Sequence, residues 1–226
     1  MSIAEKLKNS CGENFKCLIL YGSWAKEIAR KDSDIDLLAV FGKVDGNTRK
    51  FLHDIETDAE KENSITLVPV SIEEFQKEKI PLYTAVKKEG KIIWGDEDLT
   101  INPEPPHFKY AEAFRKSKEF EMHKVKMAEE ILKEHPSYGT VDLCFVSSKH
   151  AIQIALAMKG LGYSSKVSVL LPLAEKNLGR ETAETFRKLF DLYVKSEYGM
   201  EFVTEDESKL AIEYAKKIME VYESYM

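Results

Sequence analysis

The first half of the chain alternates between two hydrophobic patterns. Short, nearly continuous apolar runs have the length of buried strands, whereas other segments repeat their apolar residues every three or four positions, as amphipathic helices do. The predicted strands are 17–20, 37–41, 64–70 and 91–95, and the predicted helices are 3–11, 24–30, 48–62, 72–79 and 82–88. We therefore predict an α+β domain in which helices pack on a mixed sheet.

The second half has an almost entirely helical pattern. Glycine, proline and serine interrupt it, which leaves the helical segments 107–134, 140–161, 166–176, 180–198 and 205–225. Short connections favour antiparallel neighbours, so these segments predict an all-α helical bundle. Between the halves, Pro103-Glu-Pro-Pro106 cannot continue a helix or a strand. We predict domains at 1–100 and 107–226, joined by a linker at 101–106.

A glycine turn follows the first predicted strand. The apolar run 17–20 ends at Gly22-Ser23, and the helix-forming residues 24–30 come next. Such a turn presents unpaired backbone N–H groups and the positive end of a helix dipole, which together favour a polyphosphate. The hydroxyl group of Ser23 can donate to the same ligand. The turn is therefore a candidate phosphate site.

Two carboxylates precede the apolar part of the second predicted strand. Asp34 and Asp36 follow Gly22-Ser23 after a spacer of ten residues. Side chains alternate along a strand, so we expect the two carboxylates on one face. Their repulsion favours a cation between them, and hard oxygen ligands suit Mg²⁺ bound together with substrate phosphates. The residues predict a site for a Mg²⁺-nucleotide.

Residues 18–41 resemble the signature of the minimal nucleotidyltransferases of the DNA polymerase β superfamily, which includes kanamycin and other aminoglycoside nucleotidyltransferases. The resemblance rests on Gly22-Ser23, the spacer and Asp34-x-Asp36. Many relatives read Gly-Ser-aromatic-Ala-Arg-Gly. This chain continues Trp24-Ala-Lys-Glu27, which keeps a basic residue at Lys26 but lacks the second glycine.

The resemblance implies a role for each residue of the motif. Asp34 and Asp36 correspond to catalytic carboxylates that bind Mg²⁺ or Mn²⁺, and Gly22, Ser23 and Lys26 correspond to groups that bind the phosphates of ATP or another nucleoside triphosphate. A phosphate role for Lys26 competes with the ordinary alternative of a solvated helix surface.

The third carboxylate of the family is missing from its expected strand. Active relatives usually carry it on the strand after the next helix, yet the positions that share one face of 64–70 are Ser, Thr, Val and Val. Thr66 lies where we expect the acid. Either two carboxylates suffice, or Glu62 or Glu73 completes the site, or the site binds nucleotide without turnover.

A helical bundle after such a domain resembles the HEPN domain. This domain helps to form the acceptor site in aminoglycoside nucleotidyltransferases and is a ribonuclease in other members. The ribonuclease form has a His at a short distance after an Arg. Here seven residues separate Arg115 from His123, and no His follows Arg180 or Arg187. We therefore expect no ribonuclease activity.

Composition and charge limit the classes of partner that the protein is expected to bind. Residues 1–100 carry 15 Lys and Arg against 19 Asp and Glu, and the remainder carries 18 against 20, within a net charge of −6. Neither half offers the cationic surface of a protein that binds long nucleic acids. Cys11, Cys17 and Cys144 lack metal-type spacing, which predicts reduced thiols. With no signal peptide and no apolar run near ~20 residues, we expect a cytoplasmic protein without a membrane span.

The prediction is a nucleotidyltransferase that moves a nucleoside monophosphate, AMP in the simplest case, from a Mg²⁺-bound triphosphate to a hydroxyl group. The acceptor is a small molecule or a protein. One alternative is a regulatory protein of the toxin-antitoxin type that AMPylates another protein. A second is a catalytically silent nucleotide-binding module. The sequence leaves open the acceptor, the base and the oligomeric state, a homodimer included.

Overall fold

The computed structural model describes residues 2–30, 33–59, 64–134, 138–161, 164–199 and 201–225. The chain divides into two compact units, Met1–Glu104 and Pro105–Met226. The division falls inside the proline-rich segment 102–106.

Within the described residues, the first unit contains a four-stranded sheet with helices. The helices are α1 (Ile3–Cys11), α2 (Gly22–Ala25), α3 (Gly46–Ala59), α4 (Ile72–Lys77) and α5 (Pro81–Glu89), and the strands are β1 (Phe15–Tyr21), β2 (Ile35–Phe41), β3 (Ile65–Ser71) and β4 (Lys91–Gly95). The strand order is β3-β2-β1-β4. Strands β2 and β3 are parallel, whereas β1 is antiparallel to both β2 and β4. The predicted mixed sheet is confirmed.

Both faces of β2 are buried, which explains its continuous apolar run. Leu37, Ala39 and Phe41 pack in one core with residues of α1 and α3. Leu38 and Val40 pack in a second core with residues of α4 and α5. Asp36 has the strand parity of Leu38 and Val40, so its side chain lies on the α4 and α5 side, at the end of the strand where the core gives way to solvent.

The first helix begins with a capping box, in which the side chains of Ser2 and Glu5 each accept from the backbone N–H of the other residue. Ser2 caps α1: its hydroxyl accepts from the backbone N–H of Glu5, and the Glu5 carboxylate accepts from the backbone N–H of Ser2 at 2.7 Å. Trp94 stacks on Phe15 with ring centroids 4.6 Å apart.

The predicted helix 24–30 is wrong, because α2 ends at Ala25. Glu27 adopts a φ of 61°, a left-handed conformation that stops a right-handed helix. The backbone N–H of Ile28 then donates to the Ser23 carbonyl at 3.1 Å, which closes the turn. Lys26 and Arg30 therefore do not share a helix face.

The second unit is an all-α bundle, as predicted. Its helices are α6 (Pro106–Lys109), α7 (Ala111–Glu134), α8 (Tyr138–Met158), α9 (Val167–Leu178), α10 (Arg180–Glu197) and α11 (Glu205–Met219), followed by a 3₁₀ helix at Glu220–Tyr225. The first predicted segment is divided at Tyr110, and the last one ends in the 3₁₀ helix. Helix α8 is central, since it packs against α7, α9, α10 and α11.

Among the described residues, the stretch Gly139–Met158 of α8 is long and apolar enough, by length and composition alone, to cross a membrane. In this structure, 72% of its apolar window is buried inside the bundle, as in the core helix of a soluble domain. The sequence alone did not indicate an apolar segment of this length, because the charged residues Asp142 and Lys149 interrupt the apolar run.

The three cysteines are free. Cys17 and Cys144 are buried, and burial raises the pKa of each thiol to about 12. Cys11 is partly exposed, and burial raises its pKa as well. These surroundings disfavour the reactive thiolate form.

Candidate functional site

The two predicted carboxylates lie where the chain enters β2. Asp34 is exposed and directly precedes the strand, whereas Asp36 is half-buried within it. Burial raises the pKa of Asp36, and the negative charge of Asp34 raises it further. An extended backbone directs the side chains of residues i and i+2 to the same side, and the charge of Asp34 acts on Asp36, so the two carboxylates belong to one site.

Gly22 brings the glycine turn against the same carboxylates. Its φ is +71°, and a Cβ built on this residue would collide with the Asp36 carboxylate, 3.2 Å from Asp36 Cγ. Tyr21 pairs with Asp36 across β1 and β2. Burial and the charge of Asp36 raise the pKa of Tyr21 to about 12. Only glycine at position 22 leaves the Asp36 carboxylate room beside the turn.

The turn itself is a single helical turn without a side-chain cap. Tyr21 occupies the N-cap position and offers no side-chain acceptor to α2. The first N–H groups of a helix have no partner inside the helix, so α2 itself offers no acceptor to those of Gly22, Ser23 and Trp24. Ser23 is half-buried next to them.

Trp24 links this turn to the segment before Asp34. Its indole Nε1–H donates to the carbonyl oxygen of Ser33 at 3.0 Å. Ser33 also exchanges two hydrogen bonds with Arg30: the Ser33 N–H donates to the Arg30 carbonyl at 3.0 Å, and the Arg30 N–H donates to Ser33 Oγ at 2.9 Å.

Lys26 stands at the end of α2 and has an acidic partner. Its Nζ lies 2.5 Å from a carboxylate oxygen of Glu89, the last residue of α5. A similar pair joins Lys91 to Glu27, also at 2.5 Å. The structure thus places Lys26 beside the glycine turn, and its phosphate role stays a prediction.

The position expected for a third acid lies beside Asp36. Thr66 pairs with Asp36 in the parallel register of β2 and β3. Glu73 is exposed and pairs with Lys77, and Glu62 lies outside the described residues. Over the part of the chain that the structure describes, no group of three His, Cys, Asp or Glu residues could hold a metal ion.

The chemistry of the donor set fits one hard divalent cation. Asp34 and Asp36 supply carboxylate oxygens, which Mg²⁺ prefers. Burial and then the charge of Asp34 raise the pKa of Asp36, and a cation between the carboxylates would offset both effects. These two residues would hold the ion, with phosphate oxygens and water as its remaining ligands.

Sequence reasoning missed two contributors to this site, Trp24 and Glu89. The aromatic residue directly after Gly22-Ser23 was visible in the sequence, but its hydrogen bond to Ser33 depends on α2 ending early. No sequence pattern indicated a role for Glu89, because its pairing with Lys26 is a tertiary contact between distant segments.

The second unit contains a buried acidic side chain that is satisfied. Glu121 accepts from Lys124 at 2.8 Å and lies 3.1 Å from His150 Nδ1. The Glu121 side chain is 5% exposed, so these partners supply the compensation that a buried carboxylate needs.

Comparisons with known proteins agree with both units. Residues 2–99 match the polymerase beta nucleotidyltransferase family, and residues 109–225 match the HEPN domain family. Among solved structures, a spectinomycin adenyltransferase from Enterococcus faecialis, solved with ATP and spectinomycin, is 15% identical, with a TM-score of 0.51 over 96% of each chain. No curated protein matches the sequence.

Two further solved structures are more distant. A toxin-antitoxin structure with AMP-PNP is 15% identical, covers 57% of this chain and 94% of its own, and has a TM-score of 0.31. A nucleotidyltransferase-like protein from Exiguobacterium sibiricum is 12% identical, covers 99% of this chain and 78% of its own, and has a TM-score of 0.42.

The fold and the family matches define a two-domain class, in which a nucleotidyltransferase domain precedes an all-helical domain. The chain belongs to the polymerase beta nucleotidyltransferase family in its first unit and to the HEPN family in its second. The family resemblance of the sequence is thereby confirmed. At 15% identity, the likeness to the spectinomycin adenyltransferase is one of fold.

Proposed function

We propose that this protein transfers a nucleoside monophosphate, AMP from ATP in the simplest case, to a hydroxyl group of an acceptor. One observation carries the proposal: the Asp36 carboxylate lies against the Gly22 turn, with Asp34 beside it. The residues proposed to bind a cation and the turn proposed to bind phosphates are therefore neighbours. A triphosphate that carries Mg²⁺ matches both.

Each residue has a binding or orienting task in this proposal. Asp34 and Asp36 hold Mg²⁺ or Mn²⁺, which when bound neutralises phosphate charge and orients the triphosphate. Gly22 and Ser23 donate to the β- and γ-phosphates, and Lys26 adds a positive charge. The acceptor oxygen forms a bond to the α-phosphorus, the bond to the leaving pyrophosphate breaks, and the hydroxyl proton passes to water.

The charge of the protein favours a small cationic acceptor. Both halves of the chain are acidic, and acidic surfaces attract cationic molecules. The spectinomycin bound by the structural relative makes aminocyclitols and aminoglycosides the first acceptors to try.

The experiment follows the label of α-³²P ATP. The purified chain is incubated with Mg²⁺ and three separate pools: aminocyclitols with aminoglycosides, a protein extract, and RNA. We expect a labelled small molecule and released pyrophosphate. Asp36→Asn removes one carboxylate and abolishes both, whereas Asp54→Asn changes an exposed carboxylate on α3 and preserves them. Equal turnover by Asp36→Asn and the unaltered protein contradicts the proposal.

The protein pool separates two acceptor classes. Label on a protein, with none on the small molecules, identifies the same transfer reaction as protein AMPylation. Label on RNA contradicts the expectation from the acidic charge balance.

A second candidate function is nucleotide binding without turnover, and Thr66 is the observation that favours it. A hydroxyl group stands beside Asp36 in the register where a third acid would complete the site. Calorimetry with Mg²⁺ and AMP-PNP measures binding independently of turnover. Tight binding without pyrophosphate release, together with turnover gained by Thr66→Asp, supports this candidate over the first.

A further inference from the structure

The two carboxylates of the site are held very differently. Asp36 lies inside the sheet, where its backbone pairs with Tyr21 on β1 and with Thr66 on β3. Asp34 precedes β2, and the peptide that follows it is held by the bond from Ile35 N–H to the Ser64 carbonyl at 2.9 Å. The sheet therefore fixes Asp36 and the peptide after Asp34, whereas the peptide before Asp34 depends on the preceding residue.

That preceding residue is fixed by Trp24. Ser33 accepts the indole N–H of Trp24 through its backbone carbonyl at 3.0 Å, and the Ser33 carbonyl carbon is bonded directly to the Asp34 nitrogen. Two hydrogen bonds with Arg30 also hold Ser33. The Ser33 carbonyl is part of the peptide plane between Ser33 and Asp34. Displacing this carbonyl therefore changes the orientation of the Asp34 side chain.

We propose that Trp24 is a positioning residue, whose indole N–H holds the Ser33 carbonyl so that Asp34 stays within reach of a cation bound by Asp36. The inference rests on the proposed function for the identity of the ligand. Because Trp24 belongs to α2, the same side chain ties the cation-binding carboxylate to the turn that receives phosphates. Cation binding and the Trp24–Ser33 hydrogen bond therefore strengthen each other, since coupling is reciprocal.

The first test measures binding of Mn²⁺ alone by electron paramagnetic resonance. Trp24→Phe keeps an aromatic ring but loses the N–H donor. We expect it to weaken Mn²⁺ binding by roughly three- to tenfold, the effect of one net hydrogen bond. The matched control is Trp94→Phe, which alters a tryptophan stacked on Phe15. We expect this control to cost stability and to leave Mn²⁺ affinity unchanged.

The second test measures hydrogen exchange of the tryptophan indole N–H groups in the unaltered protein, and a variant serves only to assign the signals. The chain has two tryptophans, so its NMR spectrum has two indole N–H signals, which Trp94→Phe assigns. We expect Mg²⁺ to slow hydrogen exchange at the Trp24 indole and to leave that of Trp94 unaltered. This measurement keeps the inference testable if Trp24→Phe does not fold.

The outcomes separate this inference from the proposed function. If the unaltered protein binds neither Mn²⁺ nor Mg²⁺-AMP-PNP, the proposed function fails, and the inference fails with it. If Asp34→Asn weakens Mn²⁺ binding but Trp24→Phe does not, the role of Trp24 alone is overturned. Unaltered indole exchange on saturation with Mg²⁺ also overturns it.

Discussion

Lys26 and Glu89 form an ion pair of 2.5 Å that joins the end of α2 to the end of α5. The two side chains are 43% and 39% exposed. Solvent and salt weaken such a pair to about 0.2–1 kcal/mol. A triphosphate carries several negative charges, so it can displace Glu89 from Lys26.

Releasing Lys26 should strengthen nucleotide binding. Glu89→Gln removes the competing charge, and we expect the affinity for Mg²⁺-AMP-PNP to rise by roughly two- to fivefold at low salt, in line with an exposed pair. Lys26→Met should lower it. Calorimetry measures both changes.

Glu27→Gln is the matched control for Glu89→Gln, because it frees Lys91 from a pair of the same length. If both variants raise the affinity equally, the effect is one of net charge and does not identify Lys26 as a phosphate ligand.

Gly22→Ala should impair nucleotide binding beyond its cost in stability. The new Cβ would displace the Asp36 carboxylate. Gly12→Ala is a close control, because Gly12 also has a positive φ, +55°, but has no atom within 4 Å of its Cβ position. Gly12 has a ψ of −132°, outside the left-handed α region, so we expect Gly12→Ala to cost about 1–3 kcal/mol of backbone strain and to leave binding intact.

The comparison of the two glycine variants uses two measurements. Urea unfolding is followed by tryptophan fluorescence, which reports on the first unit because Trp24 and Trp94 both lie there. Calorimetry then measures Mg²⁺-AMP-PNP affinity, for which we expect a loss of roughly tenfold or more in Gly22→Ala alone. Equal affinities in the two variants would rule out the contact with Asp36 as the cause.

Local patterns were sufficient to predict the strands and to select the candidate site residues, whose roles stay a prediction. The glycine turn and the Asp34-x-Asp36 pair are encoded by neighbouring residues, and the side-chain period of a strand places both carboxylates on one side. The position of Thr66 beside Asp36 also followed from strand parity within the family pattern, and the parallel register agrees with it.

Contacts between distant segments could not be predicted in this way. The early end of α2 depends on the left-handed conformation of Glu27, which helix propensity does not encode. The pairing of Lys26 with Glu89 requires α5 to be packed in place first. In the second unit, Tyr110 divides a continuous helical pattern for which the sequence offers no glycine or proline at that point.

Removing one partner of a buried ion pair should destabilise the first unit strongly. Lys87 Nζ lies 3.2 Å from Glu78 Oε1, and the side chains are 1% and 0% exposed. Lys87 also donates to the carbonyl of Thr100 at 3.0 Å. Lys87→Met leaves the Glu78 charge buried without its cation, so we expect a loss of about 3–5 kcal/mol in the free energy of unfolding.

Two further variants test this interpretation in the same fluorescence assay. Lys77→Met breaks an exposed pair with Glu73 and should cost at most about 0.5 kcal/mol. Adding Glu78→Gln to Lys87→Met removes the buried, uncompensated negative charge of Glu78. We expect the double variant to recover part of the lost free energy of unfolding. A loss below about 1 kcal/mol for Lys87→Met alone would contradict the stated role of the pair.

The cap of α11 should make the second unit sensitive to acid. Glu207 accepts from Lys195 Nζ at 2.6 Å and from the backbone N–H of Thr204 at 2.9 Å, and these bonds lower its pKa from 4.5 to about 2. A carboxylate with a lowered folded pKa stabilises the protein fully above its unfolded pKa, and this stabilisation is lost as pH falls through the folded value. Glu207→Gln should therefore cost about 1–2 kcal/mol at neutral pH. The difference from the unaltered protein should shrink as pH falls from 4.5 towards 2.

Urea unfolding of the full chain, followed by far-UV circular dichroism across this pH range, measures the difference. Glu205→Gln is the control, because Glu205 lies in the same first turn of α11 but is exposed and pairs only with Lys209 among the contacts resolved for it. We expect the smaller effect there. A pH-independent cost of Glu207→Gln would mean that the cap acts through its shape and neutral hydrogen bonds, and that the charge of Glu207 contributes nothing.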